Sequence, residues 1–238
     1  MKAVILAGGF GTRLRPITLK TPKPMIRIRG KPFLEYLLNY LRSQGIREYI
    51  LCLHYMYEKI MEYFGDGSQF GVNISYVVED RPMGTGGALK KAEEFIQGTF
   101  LALNGDTFLE FDLDEMVSFH RKHRGLGTIA ITFMRSPKRY GVVKVNPDWR
   151  ILQFSEKSEA EAGYINAGVY IFEDRLFKFI PRGKEISLER EVIPSLLKNE
   201  EFYGFPVEGY FIDIGLLEDL YKFERDLTRR VVNVSEDY

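Results

Sequence analysis

Short apolar runs alternate with helix-period segments through the first half of the chain, and that alternation restricts it to the α/β class. Ala3-Val4-Ile5-Leu6 reads as a buried strand. The segment 32–43 then carries Phe33, Leu34, Leu37, Leu38 and Leu41 on one helical face, with Pro32 at its start. A strand over 49–53, a helix over 57–64, a strand over 73–78 and a helix over 86–95 follow. The next strand, 99–103, ends at Asn104-Gly105-Asp106. Repeated βα units of this length predict a doubly wound, mostly parallel, Rossmann-like sheet. The second half is richer in strands, at 128–133, 142–145, 151–154 and 165–172, with helices over 187–198 and 216–230. Ser187 suits the N-cap of the first of these helices, and Asp112 or Asp114 suits a cap upstream.

The opening strand runs directly into Leu6-Ala7-Gly8-Gly9-Phe10-Gly11-Thr12-Arg13-Leu14-Arg15-Pro16, and Pro22-Lys23-Pro24 comes soon after. Three glycines allow the backbone to approach a polyphosphate and aim N–H groups at it, and Arg13 and Lys23 place cations nearby. The P-loop is excluded, because G-x-x-x-x-G-K-[ST] is absent at that spacing. The dinucleotide fingerprint is excluded at its third glycine position, which is Leu14.

Composition narrows the partners. The 33 basic and 33 acidic side chains balance, so nothing electrostatic favours nucleic acid or an anionic membrane. No apolar run approaches a membrane span, and the N-terminus reads as a strand rather than a signal segment, so a cytoplasmic protein is expected. Cys52, the only cysteine, lies in an apolar run and reads as core. His54, His120 and His123 show no catalytic partner pattern, and the last two are expected on a helix surface. The 14 Tyr and 18 Phe leave room for a homodimer interface, although no stripe marks one.

The glycine segment resembles the signature of the sugar-1-phosphate nucleotidyltransferases (nucleotide-sugar pyrophosphorylases). The resemblance continues in order through Pro82-Met83-Gly84-Thr85-Gly86-Gly87-Ala88-Leu89, Asn104-Gly105-Asp106, Tyr140-Gly141-Val142-Val143, Glu156-Lys157, Asn166-Ala167-Gly168-Val169-Tyr170 and Phe211-Ile212-Asp213-Ile214-Gly215. It implies transfer of a nucleoside monophosphate from an NTP to a sugar 1-phosphate, with release of pyrophosphate. It also implies a single domain over 1–238, with nucleotide on about 1–125 and sugar phosphate on about 126–238. The C-terminal β-helix of hexapeptide repeats that many members carry has no counterpart pattern here.

By the same resemblance, the NTP lies against Leu6, Ala7, Gly8, Gly9, Gly11, Thr12, Arg13, Glu79, Pro82, Gly84, Thr85, Gly86, Asn104 and Gly105. Arg13 faces the phosphates that leave, and Lys23 faces the α-phosphate or the incoming sugar phosphate. Asp106 and Asp213 hold Mg²⁺, which accepts few protein carboxylates and keeps phosphate oxygens as its other ligands. Tyr140, Gly141, Glu156, Lys157, Asn166 and Gly168 surround the sugar phosphate. Members that use dTTP carry Gln where this chain has Glu79. A carboxylate accepts from the adjacent N1–H and N2–H donors of guanine, which points to GTP. The overall pattern is nearest to members acting on mannose 1-phosphate or a manno-heptose 1-phosphate. A uridylyl- or thymidylyltransferase acting on glucose 1-phosphate is the alternative within the class, and an inactive nucleotide-sugar sensor the alternative outside it. Two departures touch the last block: Leu216-Leu217 replaces a common Thr-Pro pair, and Phe211 stands where Trp is frequent.

Overall fold

The computed structural model describes residues 1–155 and 161–232. The elements run β1 (Lys2–Leu6), β2 (Arg27–Ile28), β3 (Lys31–Pro32), α1 (Phe33–Ser43), β4 (Glu48–Leu53), α2 (Tyr57–Phe64), β5 (Asn73–Val78) and α3 (Gly84–Lys91). They continue with β6 (Phe100–Asn104), β7 (Thr107–Leu109), α4 (Leu113–His123), β8 (Gly127–Arg135), β9 (Val142–Val145), β10 (Ile151–Ser155) and β11 (Ala162–Phe172). The last are α5 (Ile193–Leu196), β12 (Phe202–Pro206), β13 (Phe211–Asp213) and α6 (Leu217–Thr228). No helix among the described residues is long and apolar enough to cross a membrane. The architecture is Rossmann-like α/β, as the alternation predicts.

The chain forms two compact units. The first comprises Met1–Pro82, Asn104–Glu110 and the segment from Tyr210 onward. Its strands β1, β4 and β5 are parallel, with Leu6 opposite Cys52 and Leu53 opposite Val78. Ala3, Val4, Ile5, Leu51 and Cys52 are fully enclosed, so Cys52 is a core residue. Helix α1 begins after Pro32, and all five predicted apolar residues on its face are buried. The Phe223 ring of α6 packs on Phe33 at 5.3 Å, on Tyr36 at 5.6 Å and on Phe108 at 5.5 Å. Truncating so enclosed an aromatic ring costs about 3–5 kcal/mol, enough to threaten the segment that carries Asp213. That segment is fixed by an antiparallel pair, β13 on β7, with Asp213 opposite Thr107. The Ile214 N–H donates to the Asp106 carbonyl at 3.0 Å and completes the alignment. Neither β7 nor β13 is visible in the sequence pattern, because three-residue strands are too short to show a period.

The second unit comprises Met83–Leu103 and Phe111–Gly209. Its organising strand is β11, which pairs antiparallel with β6, β8 and β9, while β12 joins β8 in parallel. The β11–β8 register shifts between Asn166 and Tyr170, and Gly168 there has φ +70°. This bulge re-aims the side chains around it, as bulges beside functional sites commonly do. Asp112 caps α4 by accepting from the Glu115 N–H at 2.9 Å. Ser187 accepts from the Arg190 N–H at 3.1 Å, as expected of an N-cap. The helix it starts is a π turn, Leu188–Val192, followed by the single α turn α5, rather than continuous over 187–198.

His120 corrects the expectation of a surface histidine: it is 2% exposed. Its Nδ1 lies 2.8 Å from Thr128 Oγ1 and its Nε2 3.0 Å from Glu173 Oε1. His123 instead packs its ring on Phe119 and Tyr203.

Candidate active site

The glycine turn leaves β1 under tight constraint. The Ala7 N–H donates to the Cys52 carbonyl and the Gly105 N–H to the Leu6 carbonyl, both at 2.9 Å. A Cβ on Gly105 would stand 2.9 Å from Ala7 Cβ, so the Leu6-Ala7 and Asn104-Gly105 blocks meet backbone to backbone. A Cβ on Gly8 would press on Glu79 Oε1 at 3.1 Å and on His54 at 3.2 Å. Gly11 has φ +60°, and its Cβ would collide with Thr18 Cγ2 at 2.8 Å. Thr18 holds this bend by donating to the Gly11 carbonyl at 2.9 Å, and Tyr55 braces Thr18 by donating to its carbonyl at 2.9 Å. Gly9 is different: among the described residues no atom beyond its two chain neighbours lies within 4 Å of where its Cβ would be, and its φ is not positive. None of these residues demands a glycine there.

Lys23 follows Pro22 into a single 3₁₀ turn, Lys23–Met25, and its side chain is 9% exposed. Its Nζ lies 2.6 Å from Asp106 Oδ2 and 3.4 Å from Asp213 Oδ1. The Arg13 guanidinium stands 4.0 Å from Asp213 Oδ2 and lies against Gly215, whose Cβ would be 3.0 Å from Nη2. Two carboxylates and two cations thus converge beside the turn. Burial pushes the Asp106 carboxyl up, but the charge and hydrogen bond of Lys23, helped by Thr107, hold it below the usual range. Burial and the Asp106 charge push Asp213 above its usual range, against the pull of Lys23 and Arg13.

Both aspartates direct an oxygen at one cationic nitrogen, so their donor set fits a single small cation. Among the described residues no group of three or more His, Cys, Asp or Glu converges as a metal cluster. A cation here would therefore draw its remaining ligands from substrate and water, a coordination habit that suits Mg²⁺.

Glu79 is 5% exposed, and its carbonyl lies 2.9 Å from His54 Nδ1, which ties the end of β5 to the end of β4. Pro82 is exposed at the end of this stretch. Asn104 Oδ1 is buried without a hydrogen-bond partner among the described residues, an acceptor beside Gly105 with nothing to satisfy it.

In the second unit the glycines of α3 have a role the sequence reading did not assign. The Gly86 and Gly87 N–H groups both donate to the Ile186 carbonyl, at 2.9 and 3.2 Å. A Cβ on Gly84 would stand 2.6 Å from Ile186 O, and one on Gly87 2.6 Å from Lys184 O. Close packing of segment 184–188 thus requires these positions to be glycine without any ligand. Tyr140-Gly141 and the β11 bulge come together, because the Asn166 N–H donates to the Gly141 carbonyl at 2.9 Å. Asn166 Oδ1 accepts from the Gly168 N–H at 3.0 Å. Glu156 and Lys157 lie outside the described residues. Sequence reasoning missed Glu189, whose carboxylate collects hydroxyls from Thr85, Tyr170 and Ser187. A carboxylate amid Lys184, Glu185, Arg190 and Glu191 reads as part of a solvated face, and no local signal separates it.

The family model described as nucleotidyl transferase matches residues 2–230. The mannose-1-phosphate guanylyltransferase of Mycobacterium tuberculosis is 40% identical over 96% of this chain, which spans 65% of that protein. The D-glycero-alpha-D-manno-heptose 1-phosphate guanylyltransferase of Aneurinibacillus thermoaerophilus is 39% identical, over 95% of this chain and 98% of its own length. The crystal structure of HddC from Yersinia pseudotuberculosis complexed with GMP-PN superposes with a TM-score of 0.85 at 34% identity, covering 95% of this chain and 99% of that one. With the family model matching almost end to end, the chain belongs to the nucleotidyl transferase family.

Proposed function

We propose that the chain transfers GMP from GTP to mannose 1-phosphate or a manno-heptose 1-phosphate, releasing pyrophosphate, in the cytoplasm. The observation that carries this reading is the convergence of Lys23 and Arg13 with Asp106 and Asp213 beside the glycine turn. The attacking sugar-phosphate oxygen is already an anion, so the reaction needs alignment and charge neutralisation rather than a protein base. The backbone of 8–11 receives the triphosphate, with open space at Gly9 for a phosphate to approach. Arg13 stabilises the departing pyrophosphate, and Lys23 leaves its carboxylates to meet the phosphate under attack. Asp106 and Asp213 would then hold Mg²⁺, which when bound neutralises phosphate charge and polarises the phosphoryl oxygens.

Glu79 stands beside Gly8 with its carboxylate enclosed, and in this reading it accepts from guanine N1–H and N2–H. The relatives named guanylyltransferases support the same base. Leu6, Ala7, Thr12, Pro82, Gly84, Thr85, Gly86, Asn104 and Gly105 complete the nucleotide set, and the orphaned Asn104 Oδ1 awaits a donor. Tyr140, Gly141, Asn166 and Gly168, with Glu156 and Lys157, receive the sugar phosphate. In this reading nucleotide chemistry concentrates in about residues 1–125 of one working domain and sugar chemistry in about 126–238.

The test is pyrophosphate release across four NTPs and a panel of sugar 1-phosphates, with Mg²⁺ and with EDTA. GTP with mannose or manno-heptose 1-phosphate leads, and EDTA abolishes release. A lead by UTP or dTTP with glucose 1-phosphate refutes the substrate assignment, and no release from any pair refutes the activity. Glu79→Gln weakens the preference for GTP; an unchanged base preference removes Glu79 from recognition.

A further inference from the structure

The bulge in β11 and the start of α3 are linked by an unbroken chain of side-chain hydrogen bonds, and Glu189 is its centre. Glu189 Oε2 accepts from the Thr85 hydroxyl at 2.6 Å and from the Ser187 hydroxyl at 3.0 Å. Glu189 Oε1 accepts from the Tyr170 hydroxyl at 3.2 Å. The Tyr170 oxygen in turn accepts from Asn166 Nδ2 at 2.7 Å, and Asn166 Oδ1 accepts from the Gly168 N–H at 3.0 Å. Tyr170 is fully buried.

Three features make this more than packing. Beyond the neighbouring Ser187, the carboxylate is met by neutral hydroxyls from two separate backbone segments, α3 and β11. Each hydroxyl that donates to Glu189 raises the acceptor strength of its own oxygen, so the links reinforce one another. The chain also ends on Asn166 at one side and Thr85 at the other, residues assigned above to sugar phosphate and to nucleotide.

We propose that Glu189 is a positioning residue which, through the hydroxyls of Tyr170 and Thr85, holds the Asn166 bulge and the start of α3 in one frame, so that nucleotide and sugar 1-phosphate strengthen each other's binding. The inference rests on the substrate assignment above. A ligand that fixes Asn166 reduces the freedom of Tyr170 and Glu189, and Thr85 is then already ordered for the second ligand. By linkage the effect is equal in both directions.

The experiment measures the dissociation constant of an α,β-methylene GTP analogue with Mg²⁺, alone and with saturating mannose 1-phosphate, so that no turnover intervenes. Wild type binds the analogue about fivefold or more tightly when the sugar phosphate is present, within the usual range of coupling between sites. Tyr170→Phe keeps the ring and removes only the hydroxyl, and Glu189→Gln keeps the shape and removes the charge. Each lowers that ratio below about twofold in protein that remains folded, with the melting temperature lowered by no more than the loss of one buried hydrogen-bond partner entails. In turnover, Tyr170→Phe raises the KM for each substrate measured at a saturating level of the other, while kcat moves less, a pattern that loss of folded enzyme alone does not produce. Variants that retain the wild-type ratio, or a wild type that binds both probes without coupling, overturn this inference alone. A wild type that binds neither probe overturns the substrate assignment and this inference with it.

Discussion

Replacing Lys23 by alanine tests whether the two aspartates form a cation site, because the structure predicts opposite signs for two quantities. The ammonium sits 2.6 Å from Asp106 and 3.4 Å from Asp213, in the place a small cation would take between them. Removing one partner of a buried ion pair costs about 3–5 kcal/mol. The Asp106 carboxylate is 37% exposed, so water screens part of that cost and about 2–3 kcal/mol remains. For a chain of this length that is a fall of roughly 5–10 °C in melting temperature. Metal affinity moves the other way. A divalent ion entering the vacated place escapes repulsion from a unit charge at roughly 4 Å, about 2 kcal/mol even at the dielectric of water. Nucleotide-free Lys23→Ala therefore binds Mn²⁺ about 30-fold more tightly than wild type, read by electron paramagnetic resonance of the free ion. Millimolar Mg²⁺ restores several degrees of melting temperature to the variant and little to wild type, while turnover falls by orders of magnitude. Equal or weaker Mn²⁺ binding by a folded variant refutes the reasoning, since the two carboxylates would then not share one cation.

Three further outcomes follow from other sites. Gly9→Ala leaves the melting temperature unchanged and lowers turnover about tenfold or more, whereas Gly11→Ala lowers both, because only Gly11 combines φ +60° with a Cβ collision at Thr18; equal thermal losses in the two variants contradict the open space at Gly9. His120→Leu strands the buried Thr128 hydroxyl and costs about 1–3 kcal/mol beyond its packing change. Adding Thr128→Val recovers part of that loss in urea unfolding, and strictly additive costs would show that the hydroxyl was never dependent on the ring. Burial raises the Asp226 carboxyl, but the hydrogen bonds from Lys222 at 2.7 Å and Tyr210 at 2.9 Å outweigh it and hold the group below its usual range. Its stabilisation is thus complete above about pH 4 and fades as pH falls through the lowered value, so the stability gap between wild type and Asp226→Asn narrows on acidification; a gap that widens has the wrong sign.

Local constraints were legible and partnerships were not. The strands β1, β4 and β5 and the helix α1 follow from apolar runs and a 3.6-residue period, because burial of those faces is decided within each element. The glycine turn was legible as three closely spaced glycines after a strand, and Gly11 does adopt a positive φ there. The resemblance put the α3 glycines Gly84 and Gly86 against the nucleotide, yet what excludes a Cβ there in the free protein is the backbone of 184–188, about a hundred residues downstream. His120 and Glu189 failed more completely, since a polar side chain carries no periodic trace of where its partners will come from. Asp106 and Asp213 have equally distant partners; the large apolar neighbours of Asp213 hint that it needs one, but only the family motif around each aspartate joins the two. Burying a carboxylate beside another is costly, and a chain keeps the arrangement only where a cation offsets it. In this protein Lys23 supplies that cation from within, and under the proposed function the same balance of charge would free the lysine for an incoming phosphate once another cation took its place.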